Sequence, residues 1–169
     1  MPRLPHTYRL EPARAGDAAL LAAMSQAHIE SGLKPAWGAA RMRWHVRDAD
    51  SVVLIARSGA TIAGFAIMRY GDDVAHLNLL AVAPAHRRRG LARALVQWLE
   101  ETALTAGAFT IGLELRAGNA AARTFYRALG YRELGEIPGY YQGIESAIRM
   151  MRDVRGERAN IPGSWQQTP

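Results

Sequence analysis

Apolar and polar positions between Ser51 and Val82 fall into three β-rich runs separated by turn residues. Ser51–Ala56 (Ser-Val-Val-Leu-Ile-Ala) is a strand, Ser58-Gly59-Ala60 a turn, and Thr61–Tyr70 the returning strand of a hairpin. Gly71-Asp72-Asp73 is the next turn, and Val74–Val82 is a further strand that closes at Pro84. The period then changes. Leu91, Leu95, Trp98, Leu99, Thr102 and Ala106 recur at helical spacing, which predicts a long amphipathic helix ended by Gly107. Phe109–Leu115 reads as a strand and Asn119–Leu129 as a helix, with Phe125 and Leu129 on its core face and Gly130 as its stop. Tyr131–Leu134 and Ser146–Met151 form a last antiparallel pair across a loop from Gly135 to Glu145.

The N-terminal third is less regular. Tyr8–Leu10 is a short strand ended by Pro12, and Gly16-Asp17 supplies a helix N-cap. Leu20, Met24, Ala27 and His28 then mark the inner face of a helix from about Asp17 to Ser31, stopped by Gly32. A second helix from about Ala36 to Asp48 carries Trp37 and Trp44 on one face as core anchors. The order β-α-α-β-β-β-α-β-α-β-β, without internal repeat, predicts a mixed α/β fold: one sheet of six or seven strands flanked on both faces by about four helices.

A chain of 169 residues suits a single domain, here residues 1–154, followed by a tail from 155 to 169 with little apolar content that is expected to be loosely held. No apolar run approaches the roughly 18 residues that span a bilayer, and Met1–His6 lacks the apolar core of a secretory signal. Absence of cysteine excludes disulfides, thiolate metal sites and a cysteine nucleophile, and fits a cytoplasmic setting. His28 and His45 have no partner at metal-ligand spacing, so no metal is expected. The net charge of +6 and pI near 10.3 raise the question of nucleic acid. The arginines are scattered, however, with no block of five or six like charges and no RNA-binding motif. Neither a nucleic acid nor a membrane is the expected partner, and a homodimer is compatible with the chain.

The densest basic cluster follows the third strand: Leu77-Asn78-Leu79-Leu80-Ala81-Val82-Ala83-Pro84, then Ala85-His86-Arg87-Arg88-Arg89-Gly90-Leu91-Ala92. A buried strand here stops at a proline, and three arginines and a glycine lead into a helix. The first turn of a helix offers backbone N–H groups without intrahelical partners and the positive end of its dipole. Gly90 and Ala92 keep that turn free of bulk, which makes a seat for a pyrophosphate. The stretch resembles the phosphate-binding motif Q/R-x-x-G-x-G/A of the GNAT superfamily of acyl-CoA-dependent N-acyltransferases, filled here by Arg87, Gly90 and Ala92. The resemblance implies acetyl-CoA as cosubstrate, with Arg87, Arg88, Arg89, Gly90, Leu91, Ala92 and Arg93 around its phosphates. It also implies a central strand that parts from its neighbour after Val82, so that Leu80, Ala81 and Val82 bind the pantetheine arm through their backbone.

A second block, Leu113-Glu114-Leu115-Arg116-Ala117-Gly118-Asn119 through Tyr126 to Gly130-Tyr131, resembles L-E-V-R-x-x-N-x-x-A-x-x-x-Y-x-x-x-G-F of the same superfamily. Within it the bacterial ribosomal-protein alanine N-acetyltransferases are the nearest subgroup. Acetyl transfer to an amine needs a base for the ammonium proton and a proton donor for the departing thiolate. Glu114 suits the base, because strand alternation turns Leu113 and Leu115 to the core and Glu114 away from it. A carboxylate merely paired with Arg116 is the alternative, and His76, acting directly or through water, is a competing base. Asn78 cannot be one. Tyr126 suits the proton donor and shares a helix face with Asn119, which is also a good N-cap; the resemblance adds a bond from Asn119 to the pantetheine. Tyr140-Tyr141 lie where N-terminal acetyltransferases carry a tyrosine pair lining the acceptor.

The reading is a direct N-acetyltransferase acting on a primary amine, either a protein N-terminus or a small molecule. Its rival is a non-catalytic acyl-CoA-binding regulatory module of the same fold.

Overall fold

The structure is a computed structural model, and residues 7–155 are described. Seven strands form one sheet in the order β1-β2-β3-β4-β5-β7-β6. The strands are β1 (Arg9–Pro12), β2 (Ser51–Ser58), β3 (Thr61–Tyr70), β4 (Val74–Val82), β5 (Thr110–Arg116), β6 (Arg132–Tyr141) and β7 (Glu145–Asp153). Four α-helices complete it: α1 (Ala18–His28), α2 (Ala39–Arg47), α3 (Leu91–Ala106) and α4 (Ala120–Ala128). All strand pairs are antiparallel except β4–β5, the parallel pair that α3 connects. Helices α1 and α2 pack on one face over Phe65, Ile67 and Leu79, while α3 and α4 pack on the other over Met68, Leu77 and Leu113. Met1–His6 and the tail beyond Arg155 lie outside the described residues.

One irregularity shapes β4. Its pairing with β3 shifts between Ile67↔Leu79 and Met68↔Leu77, leaving Asn78 unopposed as a bulge. An extra residue reverses strand parity. Ala75 and Leu77 therefore pack on the α3 side, whereas Leu79 and Ala81 pack on the α1–α2 side. A second irregularity is larger: β4 and β5 pair only at Val74↔Thr110, Ala75↔Ile111 and His76↔Gly112. The sheet parts after His76, not after Val82. The opening runs six residues longer than the resemblance implies, and it leaves the β5-facing edge of Leu77–Val82 without a neighbouring strand.

Several local expectations change. Helix α1 buries Ala18, Leu21 and Ser25, while Leu20 is 59% exposed. Asp17 does not cap it by its side chain; the carboxylate accepts from Arg14 N (2.8 Å) and pairs with Arg57 (3.2 Å). Helix α2 begins only at Ala39, so Trp37 precedes it, and Trp44 is 52% exposed rather than a core anchor. On α3, Leu91, Leu95 and Leu99 are buried as expected, but Ala106 is exposed and Glu100 is buried. On α4 the deepest side chain is Tyr126, with Phe125 half-buried. β6 runs unbroken to Tyr141, so the long loop from Gly135 contracts to a tight turn at Gln142-Gly143-Ile144.

Candidate active site

The opening between β4 and β5 continues into a cleft of about 820 Å³. Its walls come from β4 (His76 to Leu80), β5 (Leu113 to Arg116), the start and face of α4 (Asn119, Ala122, Tyr126), the segment after α1, and the β6–β7 turn. Two side chains of the parted strands meet across it: His76 Nε2 and Glu114 Oε2 are 2.5 Å apart. The other oxygen, Glu114 Oε1, accepts from Arg149 Nε at 3.1 Å. Hydrogen bonding to His76, then Arg149, holds the Glu114 carboxyl below its ordinary range even though burial opposes this. The Glu114 side chain is only 10% exposed whereas that of His76 is 42% exposed, so the imidazole is the more accessible end of the pair. Arg116 is not the partner of Glu114. It pairs with Glu145 (2.6 Å) and donates to the carbonyls of Ile29 and Ser31.

Tyr126 reaches the cleft from α4, with its ring edge-to-face against Phe125 and Tyr131. Among the described residues nothing hydrogen-bonds its hydroxyl, and burial pushes the phenol well above its ordinary value of 10. A neutral O–H that keeps its proton is what such a setting supplies. Asn119 caps α4, its Oδ1 accepting from Ala122 N at 3.1 Å, and also lines the cleft. Asn78, at the bulge, lines it too, and its Oδ1 is buried with no partner among the described residues. An orphaned acceptor costs about 1–3 kcal/mol, which an N–H on a bound ligand would offset. Together with the bare β4 edge, it fits an extended amide-bearing arm.

Beyond β4, a short turn (Pro84–His86) leads to Gly90, which opens α3 with φ +78°. A Cβ there would meet nothing within 4 Å, so the glycine is required by its left-handed backbone rather than by crowding. Arg88 also has a positive φ of 60°. The arginines differ. Arg87 folds back to donate to Val82 O (3.1 Å), and Arg89 donates to the Tyr8 hydroxyl (3.0 Å), which in turn meets His86 Nδ1 at 2.8 Å. The cleft extends along β4 as far as Leu80, and Ala81, Val82 and the stretch from Arg87 to Arg93, which includes the first turn of α3, lie beyond its lining. The amides at the start of α3 and these side chains fit a diphosphate in character; Val82 O already has a donor.

Around the other end, buried Glu30 organises the segment between α1 and α2. It accepts from Ser25 Oγ (3.0 Å), Ala36 N (2.5 Å) and Trp37 N (3.2 Å). Gln142, with φ +57°, bridges to this segment through its side-chain amide, accepting from Lys34 N (3.0 Å) and donating to Lys34 O (2.7 Å). Tyr140 and Tyr141 line the cleft beside it from the end of β6. The His76–Glu114 contact, Arg149, Glu30 and Gln142 carry no motif; parallel pairing of His76 with Gly112 and period-two alternation are the only signals that bear on the first. His45 is buried, stacked on Trp37 and bonded to Ser51.

A mixed sheet that parts beside a glycine-capped helix, with helices on both faces, defines an α/β protein of the acetyltransferase type. The chain belongs to the Acetyltransferase (GNAT) family, whose match spans residues 19–131. It is 44% identical over 92 residues to the [ribosomal protein bS18]-alanine N-acetyltransferase of Salmonella typhimurium, covering 53% of this chain and 62% of that protein. The chain thus spans about three-fifths of the length of the curated relatives it matches. The ribosomal-protein-S18-alanine N-acetyltransferase of Escherichia coli superposes with a TM-score of 0.75 at 28% identity, over 87% of this chain and 94% of that one. Arabidopsis thaliana NAA60 in complex with acetyl-CoA shares the fold alone, with a TM-score of 0.77 at 17% identity over 88% of this chain and 99% of that one.

Proposed function

We propose that the protein is an acetyl-CoA-dependent N-acetyltransferase that transfers the acetyl group directly to a primary amine within a single catalytic domain of residues 1–154. The observation that carries this is the pairing of two proton-handling groups with the parted sheet: the His76–Glu114 contact and the neutral Tyr126 phenol line one cleft. Acetyl-CoA, when bound, supplies the activated acyl thioester. The Leu77–Val82 edge, Asn78 and Asn119 hold its pantetheine arm, and the amides opening α3 with Arg87, Arg88 and Arg93 hold its phosphates. Arg89 joins them through the N–H groups that its bond to the Tyr8 hydroxyl leaves over.

Only a neutral amine attacks a thioester, so the incoming ammonium must lose a proton. His76 receives it directly or through water, and Glu114 behind it orients the imidazole and stabilises the cation that forms. Glu114 alone is a poorer base, since its proton affinity is lowered by the groups that neutralise it. Tyr126 donates its proton to the departing sulfur. No covalent acyl-enzyme is needed, and the chain contains no cysteine to carry one.

The acceptor is a protein N-terminus or a small amine. Similarity to the ribosomal-protein alanine N-acetyltransferases supports the first. Tyr140 and Tyr141 line its path. A cytoplasmic setting fits a cysteine-free chain, and among the described residues no helix is long and apolar enough to cross a membrane. A homodimer closing on the exposed Leu134 and Ile144 of the β6–β7 hairpin fits that surface. The test is release of CoA from acetyl-CoA in the presence of N-terminal peptides, amino acids and polyamines. Turnover with an amine is expected. Tight CoA binding without turnover on any amine would make the protein a regulatory acyl-CoA-binding module instead.

A further inference from the structure

One cation lining the cleft has no carboxylate partner among the described residues. Three carboxylates line it, and each is answered by the protein: Glu30 by Ser25 and two backbone amides, Glu114 by His76 and Arg149, Glu145 by Arg116. Two arginines line it as well. Arg116 is spent on Glu145 and two carbonyls. Arg41 is different: among the described residues no carboxylate lies within ion-pair distance of it, and its one hydrogen bond is a long contact to Ala36 O at 3.4 Å.

Arg41 is nevertheless held in place. Its guanidinium carbon sits 3.7 Å from the centroid of the Trp37 ring, and Trp37 stacks in turn on the His45 ring at 5.1 Å and 28°. His45 is buried and bonded to Ser51 Oγ at 2.9 Å, and the Trp37 amide is fixed by Glu30. This three-layer stack covers one face of the guanidinium and leaves its N–H groups, apart from the one on Ala36 O, open to a ligand. That planar fork matches a carboxylate with two parallel hydrogen bonds. The cation also lies near enough to Tyr140, on the acceptor wall, for its charge to bear on that phenol.

We propose that Arg41 reads a carboxylate on the acceptor, so that the substrate is an amine carrying a carboxylate close to the reacting nitrogen. Two sources share that chemistry: the α-carboxylate of a free amino acid, and the side chain of Asp or Glu following the N-terminal residue of a peptide. The inference rests on the acetyl-transfer reading above. Polyamines, which bring a second cation to Arg41, are disfavoured.

The experiment compares matched acceptors with acetyl-CoA: peptides beginning Ala-Asp and Ala-Asn, and free alanine against alanine amide, each with wild-type protein and with Arg41→Gln and Arg41→Lys. An ion pair at a solvent-facing site is worth up to about 1 kcal/mol, about fivefold, and partial enclosure in the cleft raises this toward about tenfold. The expected result is a preference of about five- to tenfold in kcat/KM for one of the two carboxylate-bearing acceptors, expressed mainly in KM. It should shrink below about twofold in Arg41→Gln and be partly kept in Arg41→Lys. The favoured pair identifies the source. Equal use of both members of each pair by the wild type, or a preference that survives Arg41→Gln, overturns the proposal while leaving acetyl transfer intact. Should no acceptor turn over, calorimetry of the CoA-loaded protein with acetyl-Ala-Asp and acetyl-Ala-Asn peptides and with acetylalanine and its amide decides it: selective binding lost in Arg41→Gln supports the carboxylate site, and its absence refutes it. Arg41 is exposed, and an unchanged melting temperature in Arg41→Gln confirms that the fold is not what was perturbed.

Discussion

Replacing Tyr126 by Phe removes one oxygen and leaves the ring, with its edge-to-face contacts to Phe125 and Tyr131 at 5.0 and 5.4 Å, in place. If the phenol protonates the departing thiolate, the loss falls on the chemical step. A positioned general acid contributes about 10²–10⁴-fold, so kcat should drop at least about 100-fold, a barrier increase of about 2.7 kcal/mol. KM for acetyl-CoA should move less than about threefold, since the oxygen acts mainly in the transition state. Stability should barely change. The Tyr126 ring is buried, 7% exposed overall, but its hydroxyl has no partner among the described residues and faces the cleft rather than the closed core. Removing an oxygen that water can reach should leave the melting temperature within about 2 degrees of wild type. Stopped-flow or plate-reader detection of free CoA with the best acceptor, alongside differential scanning calorimetry, gives both numbers. A variant that keeps more than about a third of wild-type kcat would refute the assignment. So would one that melts several degrees lower with proportionate loss of activity, because that is the behaviour of a packing residue.

Four further substitutions probe the same geometry. His76→Gln should lower kcat/KM by about 100-fold or more and Glu114→Gln by less; wild-type rates in both contradict the pair. Glu114 is held below its ordinary value of 4.5 by His76 and Arg149, so its stabilising contribution is present above that value and lost as pH falls through the lower folded one. Melting temperatures of Glu114→Gln should accordingly depend less on pH below 4.5 than those of wild type. Gly90→Ala forces a side chain onto a φ of +78° and should cost about 1–2 kcal/mol and weaken CoA binding in calorimetry; wild-type affinity would show that this turn is not the phosphate seat. Glu100, buried and pushed up by desolvation, accepts from Tyr131 (3.0 Å) and Arg152 (2.7 Å). Its loss in Glu100→Ala should cost about 3–5 kcal/mol in urea unfolding, and a change under 1 kcal/mol would mean that the network relaxes.

What the sequence revealed, and what it hid, divides by the range of the interaction. Leu91, Leu95 and Leu99 announce α3 because each is large and apolar at helical spacing, and Leu113 and Leu115 fix the facing of Glu114 by strand parity alone. Helix α1 defeats that logic: in Ala-Ala-Leu-Leu-Ala-Ala-Met-Ser-Gln-Ala-His adjacent leucines and small residues offer two near-equal faces. The choice is made by Glu30, whose carboxylate draws Ser25 inward and turns Leu20 out. Gly135, Pro138 and Gly139 read as a loop, yet β6 lies at the sheet edge and pairs with β7 on one side only, where shifts in register accommodate them. Two motif residues were legible because local backbone demands accompany them: the αL glycine Gly90 that opens α3, and Asn119, which caps α4 beside the cleft. The Glu114–His76–Arg149 cluster and the Gln142–Lys34 bridge join residues 35 to 108 positions apart, and no periodicity carries that information. The early parting of β4 and β5 is equally a tertiary outcome, set where α3 returns the chain.

In this mechanism the opening between β4 and β5 holds the thioester carrier with its acyl end at Tyr126. A crystal structure of the protein with CoA would show whether it does. The diphosphate is expected on the amides of Gly90–Ala92, the pantetheine along Leu77–Val82 in place of a strand, and the sulfur within hydrogen-bonding reach of the Tyr126 hydroxyl. A carrier bound on another face, or a sulfur remote from Tyr126 with the His76–Glu114 pair left facing bulk water, would contradict it.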